Sequence, residues 1–322
     1  MTARPALRRA EELAQAPCPA DAAEACEAPG AAGSGWGFWA NAFGGSQWLN
    51  ADASTGAPAS QFSIGGGAFG ADYRAGPDTL VGLAVGLSNT DYWMPSSGAS
   101  GNALGVHFGV YAAHAWNGFY VNGALTYSVF NANQTRFIIC IDNSETEQSS
   151  GTANQLGGRV EVGRPFDLGG TLGGQVAVTP FLAVQPMQLW SPRMYEKSWA
   201  QTGGSGVFGL TYQSRSTFSL PTFLGAQVDG QTELAGKPLN AWVRAAWVHE
   251  FLTDRSVAAG FNVLPGTSFT VDGARAASDA ARIDVGLRYA VGSQTSQFAN
   301  GNVELSGRGQ ALAGTAGLRF IW

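Results

Sequence analysis

The chain has 322 residues, a formal net charge of −5 and 13% charged residues, about half of the roughly 25% usual in soluble domains. The acidic balance leaves no basic face, which argues against a nucleic-acid partner. Glycine, at 45 residues, and aromatic residues, at 11%, are frequent. This composition is typical of a protein whose outside faces lipid rather than water.

The sequence has no apolar run long enough for a transmembrane helix, which takes about 18 or more residues. Its longest apolar candidate, 80–87, is far too short. A membrane protein without such helices has to cross as a closed β-barrel, because an open sheet would leave backbone N–H and C=O groups unpaired in hydrocarbon.

Residues 1–35 differ in composition from the rest of the chain. A short amphipathic helix is predicted over 5–15, and a linker rich in Ala, Pro and Gly follows. Cys18 and Cys26 are close enough in sequence to form a small disulfide loop in an oxidising compartment. No His lies near them, which argues against a metal site. We therefore divide the chain into an N-terminal helical segment with its linker, 1–35, and a barrel domain, 36–322.

The N-terminus shows no signal peptide. The first 16 residues carry several Arg and Glu residues and lack an apolar central region. A protein bound for the outer membrane has to cross the inner one. Three alternatives therefore stay open: the sequence is the C-terminal part of a longer chain, its start is misassigned, or the chain is not exported.

Alternation with a period of two begins at residue 36 and predicts strands that have one apolar face. The clearest case is 79–93, where large apolar residues alternate with small or polar ones. The apolar face of this strand consists of Val81, Leu83, Val85 and Leu87. Strands are predicted at 35–45, 62–74, 79–93, 104–116, 119–130, 156–166, 172–189, 217–229, 239–251, 283–289, 296–305 and 315–322.

The connections between these strands alternate in length. Long polar connections are predicted near 50–60, 94–101, 138–152, 191–205 and 253–280. Short turns are predicted near 75–78, 117–118, 167–170, 231–237 and 292–295. Short periplasmic turns, long outer loops and an even number of strands, here about 12, are the pattern of bacterial outer-membrane barrels. The predicted fold is therefore all-β, a closed antiparallel transmembrane β-barrel with a short N-terminal helical and linker segment.

Charged residues fall on the strand face opposite the apolar one, and on this alternation they share the lumen. They are Arg159, Glu161, Arg244, Glu250, Arg282, Asp284 and Arg288. Two largely coinciding interpretations stay open. The charges pair with one another and make the interior tolerable, or they form a polar lining that holds a plug segment or wets a passage for an unfolded chain.

The last strand, 315–322, ends on an aromatic residue at the chain terminus. Its pattern of Thr315, Gly317, Phe320 and Trp322 resembles the C-terminal signal by which bacterial outer-membrane barrels are recognised for assembly. The resemblance implies the barrel-assembly machinery as a partner. The alternative is an ordinary closing strand of a soluble β-protein.

Three motifs that carry chemistry in other proteins are rejected. The run 65–70 fits G-x-G-x-x-G, but no helix or βαβ unit follows it. His249 and Glu250 begin a zinc-protease motif that lacks its second His, and they lie in a predicted strand. His107 and His114 fall on opposite faces of one strand, and nothing marks a nucleophile. We therefore expect no enzyme activity, no catalytic or metal site and no cofactor.

Six short segments resemble, in order, parts of the autotransporter β-domain, the translocator of type V secretion. They are WANAFGG at 39–45, FGADYR at 69–74, TPF at 179–181, RAAWVHEF at 244–251, FTVDGA at 269–274 and GLRF at 317–320. The similarity covers roughly 36–322. It implies a barrel in the lipid of the outer membrane of a Gram-negative bacterium, with an N-terminal helix that threads the lumen and continues into an exported passenger.

On this resemblance we expect a monomeric translocator barrel that threads or anchors an N-terminal passenger at the cell surface. Two features depart from the family: only 1–35 precede the barrel, and a helix over 5–15 is about 16 Å long. That is too short to plug a core of about 30 Å. The alternative function is an outer-membrane pore or surface adhesin barrel without translocation activity.

Overall fold

A computed structural model describes residues 35–140, 143–171 and 174–322. The helix predicted over 5–15 and the proposed Cys18–Cys26 disulfide lie outside the described residues and stay predictions. The described residues contain no helix that is long and apolar enough to cross a membrane.

The described residues form twenty β-strands, and the strand pairs are antiparallel. The strands are β1 (Gly35–Leu49), β2 (Ser60–Gly76), β3 (Thr79–Met94), β4 (Ala99–Trp116), β5 (Phe119–Ile138), β6 (Glu145–Gly163), β7 (Phe166–Thr171), β8 (Gly174–Val184), β9 (Met187–Ser191), β10 (Met194–Tyr195), β11 (Lys197–Ala200), β12 (Leu210–Tyr212), β13 (Arg215–Ser219), β14 (Pro221–Leu234), β15 (Lys237–Glu250), β16 (Ser256–Phe261), β17 (Phe269–Asp272), β18 (Asp279–Ala290), β19 (Thr295–Ser306) and β20 (Gly309–Ile321).

Twelve strands make the barrel wall, and three of them are each interrupted once: β6 continues as β7, β8 as β9 and β13 as β14. A proline lies at or beside each interruption, at Pro165, Pro186 and Pro221. Proline has no N–H to donate to a ladder. The Gln185 N–H instead donates to the Pro221 carbonyl oxygen at 2.9 Å, so the interruption stays hydrogen-bonded to the next strand.

The wall closes on itself where its first strand meets its last. The first strand, β1, pairs with the last, β20, from Gly37↔Ile321 to Leu49↔Gly309. On the other side of the barrel, β6 pairs with both β8 and β9. Each wall strand is therefore hydrogen-bonded to two neighbours. The predicted fold class, a closed antiparallel β-barrel of twelve strands, is confirmed.

The two rims of the barrel differ. One rim carries the start of β1, the end of β20 and tight turns such as those at 77–78, 117–118 and 235–236. The other rim carries the long excursions 192–214 and 251–278. Because bacterial barrels keep short turns on the periplasmic side and long loops outside, the first is the periplasmic rim and the second is the outer rim.

The side chains of the wall alternate between lipid and lumen. In β3, Leu83 is 64% exposed, whereas Leu80 and Ala84 on the opposite face are buried. Near the periplasmic rim the outward positions are aromatic, as at Trp36 and Trp116. Such aromatic side chains form girdles where a barrel meets the membrane–water interface. The alternation predicted for 79–93 is thus observed in the fold.

Glycine on one strand makes room for an aromatic ring from the next. A Cβ on Gly82 would overlap the ring of Tyr111, and a Cβ on Gly163 would overlap the ring of Tyr120. Both rings are buried on the lumen side, so the frequent glycines of the sequence partly serve to admit large side chains.

Several predicted connections were wrong. The loop expected at 138–152 is confined to 139–144, because β5 runs to Ile138 and β6 starts at Glu145. The polar stretch after Glu145 looked like a loop, but this part of β6 lies beyond the lipid-facing band, where an outward face needs no apolar residues. The long connection expected at 94–101 is only 95–98.

Three further connections also differ from the prediction. The turn expected at 167–170 lies inside β7. The excursions expected at 191–205 and 253–280 are not simple loops, because they contain the short strands β10, β11, β16 and β17.

Candidate functional site

A buried network at the periplasmic half of the lumen joins the strands on both sides of the closing seam. The guanidinium of Arg319 donates to both carboxylate oxygens of Asp72, at 2.7 and 2.8 Å. The Tyr111 hydroxyl donates to the same carboxylate at 3.0 Å, and the Trp39 indole N–H donates to that hydroxyl at 2.9 Å. A Cβ on Gly37 would lie 2.5 Å from both members of the ion pair, so this position admits only glycine without a shift.

A second network surrounds Glu161 on β6. Its carboxylate accepts hydrogen bonds from Arg159 at 2.8 Å, from the Tyr120 hydroxyl at 2.9 Å and from Arg244 across the lumen. The Arg244 guanidinium also lies 3.5 Å above the centroid of the Phe181 ring. These two cationic partners and the hydroxyl donor offset part of the free-energy cost of burying the carboxylate.

The other predicted lumen charges lie in different surroundings. Arg282 donates to Asp284 at 2.8 Å. Glu250 lies at the outer end of β15, where it accepts the N–H groups of Leu220 and Leu252 at 2.9 and 2.8 Å. It therefore holds the break between β13 and β14 rather than sitting in the central ion-pair cluster. Arg288 is buried on the same inward face of β18.

The structure thus places all seven predicted charges on the inward face of the wall and brings three of them, Arg159, Glu161 and Arg244, into one cluster. The sequence analysis missed Asp72, Tyr111 and Arg319. Arg319 carried a usable signal, because it alternates with outward Leu318 and Phe320. Asp72 and Tyr111 carried none, since their contact depends on strand register.

His107 lies between two buried serines on neighbouring strands. Its Nε2 is 2.8 Å from the Ser88 hydroxyl, and its Nδ1 is 2.8 Å from the Ser128 hydroxyl. The neighbouring backbone N–H groups belong to the ladders of β3, β4 and β5. Because those groups are already committed, this arrangement offers a cross-strand link rather than the pair of free donors that acyl transfer requires.

The two long outer excursions fold together into one body, which we call the outer cap and define as 192–214 and 251–278. Its strands β10, β12, β16 and β17 form a four-stranded sheet, and β11 adds to the outer end of β6. Arg136, on an inward position of β5, holds the cap by donating to the Glu196 carboxylate at 3.2 and 2.6 Å.

Backbone and hydroxyl donors complete the attachment of the outer cap. Glu145 accepts the N–H groups of Val207 and Phe208, at 2.8 and 3.0 Å. Glu196 also accepts the Tyr212 hydroxyl at 2.8 Å, and burial together with this carboxylate raises the pKa of Tyr212. Burial raises the pKa of the neighbouring Glu147 carboxyl as well, and Glu145 and Glu196 add to that effect.

The residues of the predicted assembly signal lie at the closing seam. Thr315 is buried, and a Cβ on Gly317 would overlap the ring of Phe298. Phe320 points outward, and Trp322 at the periplasmic rim is 85% exposed. The Trp322 N–H donates to the carbonyl oxygen of Trp36 at 2.8 Å, which forms the last rung of the seam. Their role in recognition stays a prediction.

A closed antiparallel barrel of twelve strands, with lipid-facing apolar side chains and an ion-paired polar interior, defines a transmembrane β-barrel protein. Residues 38–302 match the family described as Autotransporter beta-domain. The chain therefore belongs to the autotransporter β-domain family, and its place is the outer membrane of a Gram-negative bacterium. The resemblance stated from the sequence motifs and the expected location are confirmed.

Solved structures support the same fold. The translocator domain of autotransporter NalP from Neisseria meningitidis has a TM-score of 0.62 at 15% identity, covering 89% of this chain and 88% of that one. The β-domain of the Bordetella autotransporter BrkA has a TM-score of 0.60 at 19% identity, covering 89% and 99%. The transport unit of AIDA-I from Escherichia coli has a TM-score of 0.58 at 14% identity, covering 88% and 89%. A search of curated protein sequences gave no significant match.

Proposed function

We propose that this barrel is the translocator of an autotransporter and that it threads or anchors an N-terminal passenger at the cell surface without catalysing a reaction. The observation that carries the proposal is the buried ion-paired lining of a closed barrel, centred on Arg159, Glu161 and Arg244. Because the charges of this lining already have partners, they do not bind a passing chain tightly. The lining still offers that chain hydrogen-bonding groups and the methylene groups of its arginine side chains.

The position of the first strand supports the same proposal. β1 starts at the periplasmic rim beside the end of β20. A segment fused upstream of Gly35 is therefore attached at the rim from which an exported chain has to enter the lumen.

The test is a fusion in a Gram-negative host that carries, in order, a signal peptide, a protease-sensitive reporter passenger and the full chain. The expected result is a reporter that added protease digests on intact cells, together with a barrel that migrates as a compact species on an unheated gel. A correctly assembled barrel whose reporter stays in the periplasm would favour the alternative, a pore or adhesin barrel without translocation activity.

Two further elements belong to the proposal. The barrel-assembly machinery recognises Thr315, Gly317, Phe320 and Trp322, and the folded barrel is a monomer. The closed wall supports the second point, because its described strands leave no long unpaired edge of the kind that draws barrels together. Cross-linking in native outer membranes, with and without the last residue, tests the machinery contact, and sedimentation in detergent tests the monomer.

The absence of catalysis is likewise proposed and testable. Ser88 and Ser128 are the nucleophiles that an enzyme would use here, since both hydroxyls contact His107. We expect an organophosphonate serine probe to leave the purified barrel unlabelled. Labelling that is lost on Ser88→Ala or on Ser128→Ala would contradict the proposal that the barrel is not an enzyme.

A further inference from the structure

The outer ends of β3 to β6 carry an outward face on which amides and hydroxyls predominate. One exposed apolar side chain, Leu104, lies in its lowest row, between Asn89 and Asn131. The register of the wall aligns the polar residues of this face in rows across the four strands. We call them the amide face; they are Asn89, Asn102, Asn131, Asn133, Thr135, Gln148, Ser150 and Thr152. The face begins directly above the last outward apolar residues, such as Leu87 and Leu156, and so continues the lipid-facing surface outward.

The composition of this face differs from that of an ordinary solvent-exposed sheet. About a quarter to a third of the residues on a soluble surface are charged. Here the charges stand only at the margins, Asp91 on β3 and Lys197 on β11. A wide face of amides and hydroxyls with so few charges suits a neutral partner rich in hydrogen-bonding groups.

Cross-strand hydrogen bonds hold the side chains of the face in place. The Asn133 amide N–H donates to the Asn102 amide oxygen at 3.3 Å, and the Thr152 hydroxyl donates to the Asn131 amide oxygen at 3.0 Å. An asparagine offers two donors and two acceptor lone pairs. Each of these residues therefore keeps further hydrogen-bonding capacity for a partner after its internal bond is made.

Exposed aromatic rings flank the amides. Trp93 is 55% exposed on β3, where it pairs with Ser100, and Trp199 is 47% exposed on β11 at the other margin. Phe137, 55% exposed, shares a row with Thr146 and Trp199. A tryptophan presents an apolar face together with a polar N–H, a combination suited to the apolar face of a sugar ring bordered by hydroxyls.

We infer that the amide face binds the saccharide headgroups of glycolipids in the outer leaflet around the barrel. The position of the amide face relative to the lipid boundary indicates which molecule binds it. From Asn131 to Phe137 the strand rises about 20 Å along its axis, starting at the lipid boundary and ending beyond it. A partner in this layer is the headgroup region of the leaflet, and sugars are the neutral hydroxyl-rich headgroups that match amides and tryptophans. The inference rests on the outer-membrane location and is independent of translocation.

The test uses the full chain in detergent micelles. The probe is a core oligosaccharide that is released from lipopolysaccharide by mild acid and then dephosphorylated, so that almost all of its sugar units are neutral. Hydroxyl-radical footprinting reads the protection of each aromatic side chain. We expect the sugar to protect Trp93 and Trp199, whereas Phe269 on β17 of the outer cap, an internal control exposed to the same solution, stays labelled. Equal labelling of Trp93 with and without the sugar would overturn the inference.

A matched pair of variants separates binding from folding. Asn102→Ala/Asn133→Ala removes two amides of the face, and we expect the sugar concentration at half-protection of Trp93 to rise about tenfold or more, as two lost hydrogen bonds imply. Gln297→Ala removes an exposed amide at the periplasmic end of β19 and should leave that concentration unchanged. Equal losses in both variants, or protection of Trp93 by a passenger but not by the sugar, would reject the assignment.

A second experiment, in membranes, tests whether the glycolipid itself occupies the face. Outer-membrane vesicles from cells that make the full core are compared with vesicles from cells whose lipopolysaccharide is truncated to its lipid anchor. Trp93 should be labelled less in the first kind of vesicle. The same labelling in both would show that the sugars do not occupy the face in the membrane and would overturn the inference.

Discussion

The guanidinium of Arg319 on β20 reaches across β1 to bind the carboxylate of Asp72 on β2 through two hydrogen bonds of 2.7 and 2.8 Å. Both side chains are almost completely buried. The pair therefore connects the last strand of the barrel with the second and spans the seam where the sheet closes. A buried ion pair of this kind is costly to break on one side, because the remaining charge is left without a partner.

Arg319→Met should destabilise the barrel by about 3–5 kcal/mol, since it leaves the Asp72 carboxylate buried and uncompensated. The measurement is the temperature at which the compact gel species converts to the extended one in detergent. The double variant Arg319→Met/Asp72→Asn removes the charge while keeping an acceptor for Tyr111, and it should recover most of the loss. If the double variant is no more stable than the single one, the ion pair is not what holds the seam.

The packing of Tyr111 against Gly82 gives a second prediction. A Cβ at position 82 would overlap the Tyr111 ring, so Gly82→Ala should cost about 1–3 kcal/mol through overpacking. Gly123→Ala is the matched control, because a Cβ there meets nothing within 4 Å. That variant should be neutral or slightly stabilising, as alanine suits a strand better than glycine. Equal unfolding temperatures for the two variants would contradict this account of the glycine.

Much of the wall could be predicted from the sequence because lipid imposes a strict rule on one face. In β3, Leu83 and Leu87 had to point outward, and the alternation along the strand then assigned its other residues to the lumen or to the lipid. The same rule placed Arg244 of β15 and Asp284 of β18 in the lumen. The same rule failed for the outer half of β6. The residues from Glu145 to Ala153 lie outside the lipid-facing band. Because they have no apolar face, their sequence shows no alternation that distinguishes a strand from a loop.

The partners of the inward residues could not be predicted. Parity assigns Arg319 to the lumen, but its pairing with Asp72 depends on the register of β20 against β1 and of β1 against β2. Those registers follow from turn geometry and closure rather than from any local pattern. The outer cap was unpredictable for a similar reason, since β12 and β16 pair across nearly fifty intervening residues.

The raised pKa of Glu147 predicts a pH dependence for the attachment of the outer cap. Burial, with Glu145 and Glu196 nearby, holds this pKa above its ordinary value, while Ser198 and Arg136 act in the opposite direction. The attached state therefore binds a proton more tightly than the detached one. Cap stability should be highest below the ordinary pKa of a glutamate and should fall as pH rises through the raised value.

Hydrogen exchange of the β11 amides, which pair with β6 only while the cap is attached, measures this effect. Glu147→Gln should raise the protection factor of these amides at neutral pH and flatten the dependence of that factor on pH, because the buried charge is gone. Asp254→Asn, at a cap residue whose side chain is 87% exposed, is the control and should change neither. Protection factors that fall on acidification in the unmodified chain would give the opposite sign and refute the role of Glu147.

The role that we propose for Trp322 in assembly can be tested separately from its contribution to stability. Its backbone makes two hydrogen bonds to Trp36, at 2.8 and 3.2 Å, and each is worth only about 1 kcal/mol. A chain that lacks Trp322 should therefore still refold in detergent to the compact gel species. In cells, however, we expect most of it to remain in the periplasm, because we propose that the assembly machinery recognises the exposed terminal aromatic.

Fractionation of cells that express the truncated chain provides the measurement. Trp322→Phe keeps an aromatic terminus and both backbone bonds, and it should reach the outer membrane normally. Trp36→Ala removes the side chain on the other side of the same rung. It should also assemble if, as we propose, recognition depends on the end of the chain rather than on this pair of hydrogen bonds. A truncated chain that appears in the outer membrane at the level of the full one would show that the terminal strand acts only through closure of the barrel.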